Sequence, residues 1–123
     1  MSCFWLGVEK GVRKLIPGTA HRRPEEMARF VQSKNKKTED VMVNGVLLTP
    51  KEIEENFEHC REYDLSTVNN GYDCSTSDPF LCLVASLYNV NIVHNYMNVK
   101  ISYSVPTPST TVRFHSNRGH FWH

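Results

Sequence analysis

Apolar residues recur at helical spacing up to about residue 88 and then at every second position. A period near 3.6 residues predicts amphipathic helices, and a period of two predicts half-buried strands. The pattern therefore predicts helices first and a strand meander afterwards. This order is typical of an α+β fold, with helices packed on a small, mostly antiparallel twisted sheet. For 123 residues we expect one domain, residues 1–123.

The first helix is predicted from Cys3 to Leu15, and Pro17-Gly18 ends it. Trp5, Val8 and Val12 fall on one face of this helix, which would be buried. Two glycines lower the intrinsic stability of the helix, so tertiary packing must hold it.

Three further helices have start signals of different strength. Pro24 stands at the first position of the second helix. The third is the clearest, because Thr49-Pro50-Lys51-Glu52 is a capping box with proline at the first helical position. The fourth is expected to begin at Ser77-Asp78-Pro79, after a turn-rich loop from Asp64 to Thr76.

The strands are predicted mainly in the last third of the chain. The segment from Asp40 to Leu48 is ambiguous between a strand and an extended connector around Asn44-Gly45. A short strand follows at Val90 to Val93, and alternation marks another from Val99 to Val105. Val112 and Phe114 alternate again, and a turn over residues 116–119 leads to a last strand beginning at His120.

Charge and composition exclude several classes of protein. The 14 Lys and Arg residues nearly balance 13 Asp and Glu residues, so the net charge of +1 predicts no nucleic-acid partner and no membrane attraction. No apolar run approaches the roughly 20 residues that span a bilayer, and no signal-peptide pattern opens the chain. We therefore expect a cytoplasmic monomer whose four cysteines are reduced thiols.

Two residues near opposite ends of the chain are candidate catalytic residues. Cys3 opens the first helix, where unpaired backbone N–H groups favour a thiolate. His120 stands beside the last strand, in Gly119-His120-Phe121-Trp122-His123, and a histidine held there is a suitable base for a thiolate. If the fold brings the two together, the pair defines a thiol hydrolase.

Three segments resemble the ovarian-tumour (OTU) family of cysteine proteases, which are mostly deubiquitinases with a papain-like fold. Ser2-Cys3-Phe4-Trp5 is similar to the nucleophile motif that opens the family's central helix. The stretch from Phe80 to Val93, FLCLVASLYNVNIV, resembles its late helix-to-strand segment. Val112-Arg113-Phe114-His115 followed by Gly119-His120-Phe121 resembles its final hairpin. The compact length is closest to viral or mobile-element members of the family.

The resemblance implies a cysteine isopeptidase that removes ubiquitin, or a ubiquitin-like modifier, from host proteins without a cofactor or metal. Cys3 would be the nucleophile and His120 the general base. Ser2 stands where the family's oxyanion loop precedes the cysteine, and Trp122 where the family often has an orienting Asp or Asn. Aromatic walls for a Gly-Gly tail would come from Phe121 and Trp5.

Other interpretations stay open at this stage. The chain could be a non-catalytic ubiquitin-binding module of the same fold, or a viral polyprotein-processing cysteine protease. His123 competes with His120 for the role of base. A zinc site is disfavoured, because only the histidines at 115, 120 and 123 approach ligand spacing. Cys60 and Cys82 are expected to be structural thiols in helix interiors.

Overall fold

A computed structural model of the chain describes residues 3–13, 15, 22–69 and 74–123, and only the backbone of residues 74–77. The α+β class is confirmed: helices pack on one sheet of six strands. The helices are α1 (Cys3–Val12), α2 (Pro24–Ser33), α3 (Pro50–Glu62) and α4 (Cys74–Tyr88). The strands are β1 (Met42–Val43), β2 (Val46–Leu47), β3 (Asn91–Tyr96), β4 (Val99–Ser104), β5 (Thr111–Ser116) and β6 (Phe121–Trp122).

The order of strands across the sheet is β2-β1-β4-β3-β5-β6. All pairings are antiparallel except that of β3 with β5, which is parallel. The ambiguous segment from Asp40 to Leu48 forms a small hairpin, β1–β2, between α2 and α3 in sequence. The predicted meander is wrong in one place, because the chain crosses over the start of β3 between β4 and β5.

Asparagine side chains hold that crossover, residues 105–110. Asn91 Oδ1 accepts a hydrogen bond from the Val105 backbone N–H at 3.0 Å, and Asn89 Nδ2 donates to the Thr107 carbonyl at 2.8 Å. The Ser109 N–H also donates to the Asn89 carbonyl at 2.9 Å. Alternating apolar residues predict strands but not their partners, and these polar contacts hold the loop that leads into the parallel strand β5.

Helix starts follow the local signals with one exception. Thr49 and Glu52 form the predicted capping box of α3, with side-chain contacts of 3.2 and 2.9 Å to each other's backbone N–H. Helix α4, however, begins at Cys74 rather than at Ser77, so Pro79 lies inside it. Proline has no N–H, so Pro79, the sixth residue of α4, cannot make the hydrogen bond to the carbonyl four residues earlier.

The hydrophobic core lies between the helices and one face of the sheet. Helix α1 packs on β5 and β6, and α4 packs on β3 and β4. Alternate strand residues face the helices and are buried, whereas their neighbours on the opposite face are half-buried or exposed. The largest fully buried side chains include Trp5, Tyr103, Phe80, Phe114 and Phe121.

Candidate active site

One stripe of α1 faces the edge strand β6. Cys3, Leu6, Gly7 and Lys10 follow the spacing i, i+3, i+4, i+7, so they share one side of the helix. Cys3 is the first residue of α1 and is half-buried against the core. Its position leaves the sulfur beside the helix N-terminus, where backbone N–H groups lack helical acceptors.

Two glycines allow α1 to lie close to the strands. A Cβ on Gly7 would stand 2.9 Å from Phe121 Cδ1, and one on Gly11 would stand 2.8 Å from Phe114 Cε1. Real Cβ atoms essentially never approach other atoms so closely, so any larger side chain would force the helix away. Gly7 and Gly11 lower the intrinsic helix stability of α1. They also allow α1 to pack closely against two buried phenylalanines.

A tight hairpin brings His120 to the same place. The Asn117 N–H donates to the His120 carbonyl at 2.9 Å, and Asn117 Oδ1 accepts from the Gly119 N–H at 3.0 Å. These bonds close the predicted turn between β5 and β6. His120 therefore precedes β6, which begins one residue later than expected, at Phe121.

Cys3 and His120 line one surface pocket of about 180 Å³ between α1 and β6. Its other lining residues are Leu6, Gly7, Lys10, Phe121, Trp122 and His123. No carboxylate occurs among these described lining residues, and Lys10 adds a positive charge. The wall thus combines a thiol, two imidazoles and an ammonium group, a set of groups that suits a negatively charged sulfur or oxygen.

The imidazole of His120 is directed toward Trp122. The two rings are stacked, with centroids 5.4 Å apart and planes 21° apart. Among the described residues no hydrogen bond joins the Cys3 sulfur to either His120 or His123. The ring of His123 packs instead against Phe114, with centroids 5.9 Å apart. Both histidines thus line the pocket, and neither is hydrogen-bonded to the Cys3 thiol.

The remaining predicted site residues are placed differently. Phe121 lines the pocket, but its ring is 1% exposed and packs on Phe4 with centroids 4.8 Å apart. Trp5 is also 1% exposed and lies in the core, where its Nε1–H donates to the Tyr63 hydroxyl at 3.2 Å. The structure therefore does not bring Trp5 to the pocket with the other candidates. Ser2 lies outside the described residues.

Two other cysteines lie in the core as structural thiols. Burial raises the pKa of Cys60 to about 12, with a smaller effect from the neighbouring Cys82. The pKa of Cys82 is also raised to about 12, first by burial and then by the Asp78 and Glu52 carboxylates. Both thiols therefore stay protonated and inert at neutral pH, whereas Cys3 is partly accessible. The side chain of Cys74 is outside the described part of the chain.

A buried histidine lies behind the pocket. His94, on β3, is 2% exposed, and its Nε2 lies 2.6 Å from Ser116 Oγ. Its Nδ1 has no hydrogen-bond partner in the described residues. Burial lowers the pKa of His94, the charge of His115 lowers it slightly further, and Asp78 opposes the shift. His94 packs on Phe121 with centroids 5.4 Å apart, so it supports the inner side of β6.

Sequence reasoning missed Lys10 as a pocket residue. The signal was present, because Lys10 lies two helical turns after Cys3 and therefore on the same side of α1. His115 lies half-buried on the open face of the sheet, between the buried residues Phe114 and Ser116. Its ring is stacked with Trp122, with centroids 5.8 Å apart, a contact that needs the register of β5 with β6.

Comparison with protein-family models, with curated proteins and with solved structures found no match to this chain. Among the described helices none is long and apolar enough to cross a membrane. The described His, Cys, Asp and Glu side chains form no cluster of three or more that could hold a metal ion.

Proposed function

We propose that this protein is a cysteine isopeptidase that removes ubiquitin or a ubiquitin-like modifier from host proteins. The observation that carries the proposal is that Cys3 and His120, which are far apart in sequence, line the same pocket. The choice of modifier depends on the resemblance of three segments to OTU proteases. The chemistry depends on the pocket.

In the proposed reaction the Cys3 thiolate attacks the isopeptide carbonyl, and the amine leaves with a proton from the His120 imidazolium. The resulting thioester is hydrolysed by water, which His120 deprotonates. The helix N-terminus and Lys10 favour the negative sulfur. The Cys3 N–H is the simplest oxyanion donor, and such a donor contributes about 3–4 kcal/mol to transition-state stabilisation.

Before proton transfer the His120 ring must move from its present position. The proposed reaction requires this ring to leave the Trp122 stack and approach the sulfur. Catalytic hydrogen bonds are often long in unliganded enzymes and shorten when substrate binds. Trp122 then has the role of holding the resting imidazole beside the pocket, in place of an orienting carboxylate.

The decisive experiment uses ubiquitin carrying an electrophile at its C-terminus. We expect the wild-type protein to gain the mass of one ubiquitin and Cys3→Ala to gain none. Cys60→Ala is the matched control, because the Cys60 thiol is buried and protonated, and this variant should label like wild type. If folded wild-type protein is not labelled by ubiquitin or by ubiquitin-like probes, the proposal is wrong.

The base can be identified by comparing two histidine variants. His120→Ala should lose nearly all turnover of a ubiquitin–fluorophore substrate, a decrease of about 10²–10⁴-fold for a missing general base. His123→Ala should retain most of the activity. The reverse result would assign the role of base to His123 and would contradict the role given to His120.

One observation favours a second candidate, a ubiquitin-binding module without catalysis. The thiol and the imidazole share a pocket but no hydrogen bond, and the His120 ring is stacked on Trp122. If ubiquitin binds with equal affinity to wild type and Cys3→Ala, and no turnover occurs at high protein concentration, this second function replaces the first. Loss of binding in both folded proteins would exclude it.

A further inference from the structure

Charge is distributed very unevenly along this nearly neutral chain. All 13 Asp and Glu residues lie in residues 1–78, and residues 79–123 contain none. This second segment includes the strands β3 to β6 and carries Lys100, Arg113 and Arg118 together with four histidines. The net charge of +1 therefore describes neither half of the molecule, and the sheet is its basic part.

The register places several of these residues in one row on the open face of the sheet. Lys100 pairs with Asn95, Asn95 with His115, and His115 with Trp122. The row crosses four strands, a distance of about 14 Å at the usual strand spacing. Arg113 lies on the same face, two residues before His115. Glu39 and Asp40 precede β1, on the far side of β4 from Trp122.

Aromatic rings stand together at one end of this row. The indole of Trp122 is nearly parallel to both His115 and His120, with planes 24° and 21° apart. Trp122 is 40% exposed, which is unusual for the largest apolar side chain on a sheet. The face thus combines the exposed rings of Trp122 and His120 with the half-buried ring of His115 and the exposed cations Lys100 and Arg113. It has no carboxylate on β3 to β6.

We propose that this open face binds single-stranded nucleic acid, with a base stacked on the ring cluster at Trp122 and phosphates at Lys100 and Arg113. Proteins that bind single strands without sequence preference combine a basic track with aromatic stacking surfaces. A double helix keeps its bases stacked internally and so would not use the rings. An acidic peptide or anionic membrane would use the cations but gains no comparable contact from parallel rings.

The proposal does not rest on the isopeptidase chemistry. The bound strand needs no thiol, so Cys3→Ala should bind nucleic acid like wild type. Trp122 belongs to both surfaces, because it also lines the pocket. For this reason Lys100 and Arg113, which are remote from the pocket lining, are the variants that test nucleic-acid binding separately.

The test measures fluorescence anisotropy of a fluorescein-labelled 12-nucleotide oligouridylate, titrated with protein from low to physiological salt. We expect saturable binding that weakens linearly with salt on a logarithmic plot. Arg113→Gln and Lys100→Gln should each reduce that slope by about 0.7, the value for one phosphate contact on a single strand. Lys36→Gln, which removes an exposed charge from the loop between α2 and β1, is the matched control and should change the slope little.

Stacking is tested by substitution of the exposed indole. Trp122→Ala should bind at least about fivefold more weakly, and Trp122→Phe should restore most of the affinity, since either ring can stack on a base. Circular dichroism and thermal melts establish that each variant is folded. If Trp122→Ala does not fold, the pair Arg113→Gln and Lys36→Gln still decides the question.

Three outcomes would overturn the proposal. The first is no binding of the oligonucleotide at low salt. The second is equal weakening by Arg113→Gln and Lys36→Gln, which would indicate general polyanion attraction. The third is binding to vesicles of three parts phosphatidylcholine and one part phosphatidylserine that is as strong as binding to the oligonucleotide and insensitive to Trp122→Ala. That result would make the face a membrane-binding surface.

Discussion

The two edges of the sheet are built by different means. At the β6 edge, α1 lies against β5 and β6 because Gly7 and Gly11 leave room for Phe121 and Phe114. At the β2 edge, a two-residue turn closes the β1–β2 hairpin, with positive φ of 52° at Asn44 and 80° at Gly45. The first edge depends on residues distant in sequence, and the second on adjacent ones.

The apolar side chains are also buried to different extents at the two edges. Phe114 and Phe121 are at most 1% exposed, whereas Val46 and Leu47 on β2 are 67% and 60% exposed. The candidate pocket belongs to the buried edge. Precise placement of Cys3 beside β6 therefore depends on core packing, and substitutions far from the sulfur should affect it.

The largest expected difference comes from truncating one side chain at each edge. Phe114→Ala should lower the free energy of unfolding by about 3–5 kcal/mol, because it empties a fully buried site beside Gly11. Leu47→Ala should change it by less than about 0.5 kcal/mol, since its side chain is already mostly in water. Urea denaturation monitored by circular dichroism measures both. Equal losses would show that the edges do not differ in this way.

Adding a methyl group to one glycine at each edge separates two kinds of constraint. Gly11→Ala should cost about 1–3 kcal/mol by overpacking against Phe114 and Val112, less a gain of about 1 kcal/mol in helix propensity. Gly45→Ala meets no atom within 4 Å and should cost about 1 kcal/mol through its positive φ alone.

A second substitution distinguishes these causes. Val112→Ala should relieve part of the Gly11→Ala penalty, giving a favourable coupling in a double-mutant cycle. It should leave the Gly45→Ala penalty unchanged. Additive effects at Gly11 and Val112 would contradict the proposed steric contact.

Removing the helix cap next to the β2 edge should have a smaller effect. Thr49→Ala deletes the hydroxyl that accepts from the Glu52 N–H, and should lower stability by about 1 kcal/mol. Thr107→Ala, in the exposed crossover loop, is the control and should change stability little. A Thr49→Ala variant as stable as wild type would show that Glu52 alone maintains the start of α3.

The smallest effect is expected from a change of pH at the buried edge. The pKa of His94 is lower in the folded protein than in the unfolded chain, so the unfolded chain binds more protons as pH falls below about 6.5. His94 should therefore reduce stability on acidification, with Asp78 opposing the effect and His115 adding to it. At neutral pH it should have little effect.

His94→Gln can still contact Ser116 but cannot titrate. Its stability should decline less than that of wild type between pH 7 and pH 5, as measured by urea midpoints. Identical pH profiles for the two proteins would mean that His94 does not contribute to acid sensitivity.

Much of the fold could be predicted from short segments. The capping box at Thr49, Pro24 at the start of α2 and alternation in the last strands each act over a few residues, so pattern alone identified them. The start of α4 was missed, because Ser77-Asp78-Pro79 resembles a helix start although the helix begins at Cys74. Local signals identify an element more reliably than its ends.

The site was predictable in part. Cys3 and His120 were selected from their local context, and the structure brings both to one pocket, although their catalytic roles stay proposals. Trp5 was assigned to the pocket only through the OTU resemblance, and it lies in the core, on the helix face that the periodicity of Trp5, Val8 and Val12 predicts to be buried. The basic character of the open face was visible as a carboxylate-free segment after Asp78, but the overall charge concealed it.

The sequence by itself determined the α+β class, most helix starts and the turn signals, because these depend on backbone geometry and side-chain chemistry within a few residues. Only the tertiary structure decided the parallel pairing of β3 with β5 and the meeting of α1 with β6. In the contact of α1 with β6, Phe4 packs on Phe121, and these two residues are more than a hundred positions apart in sequence. The formation of such contacts depends on how volumes fit in a shared core, which no local pattern records.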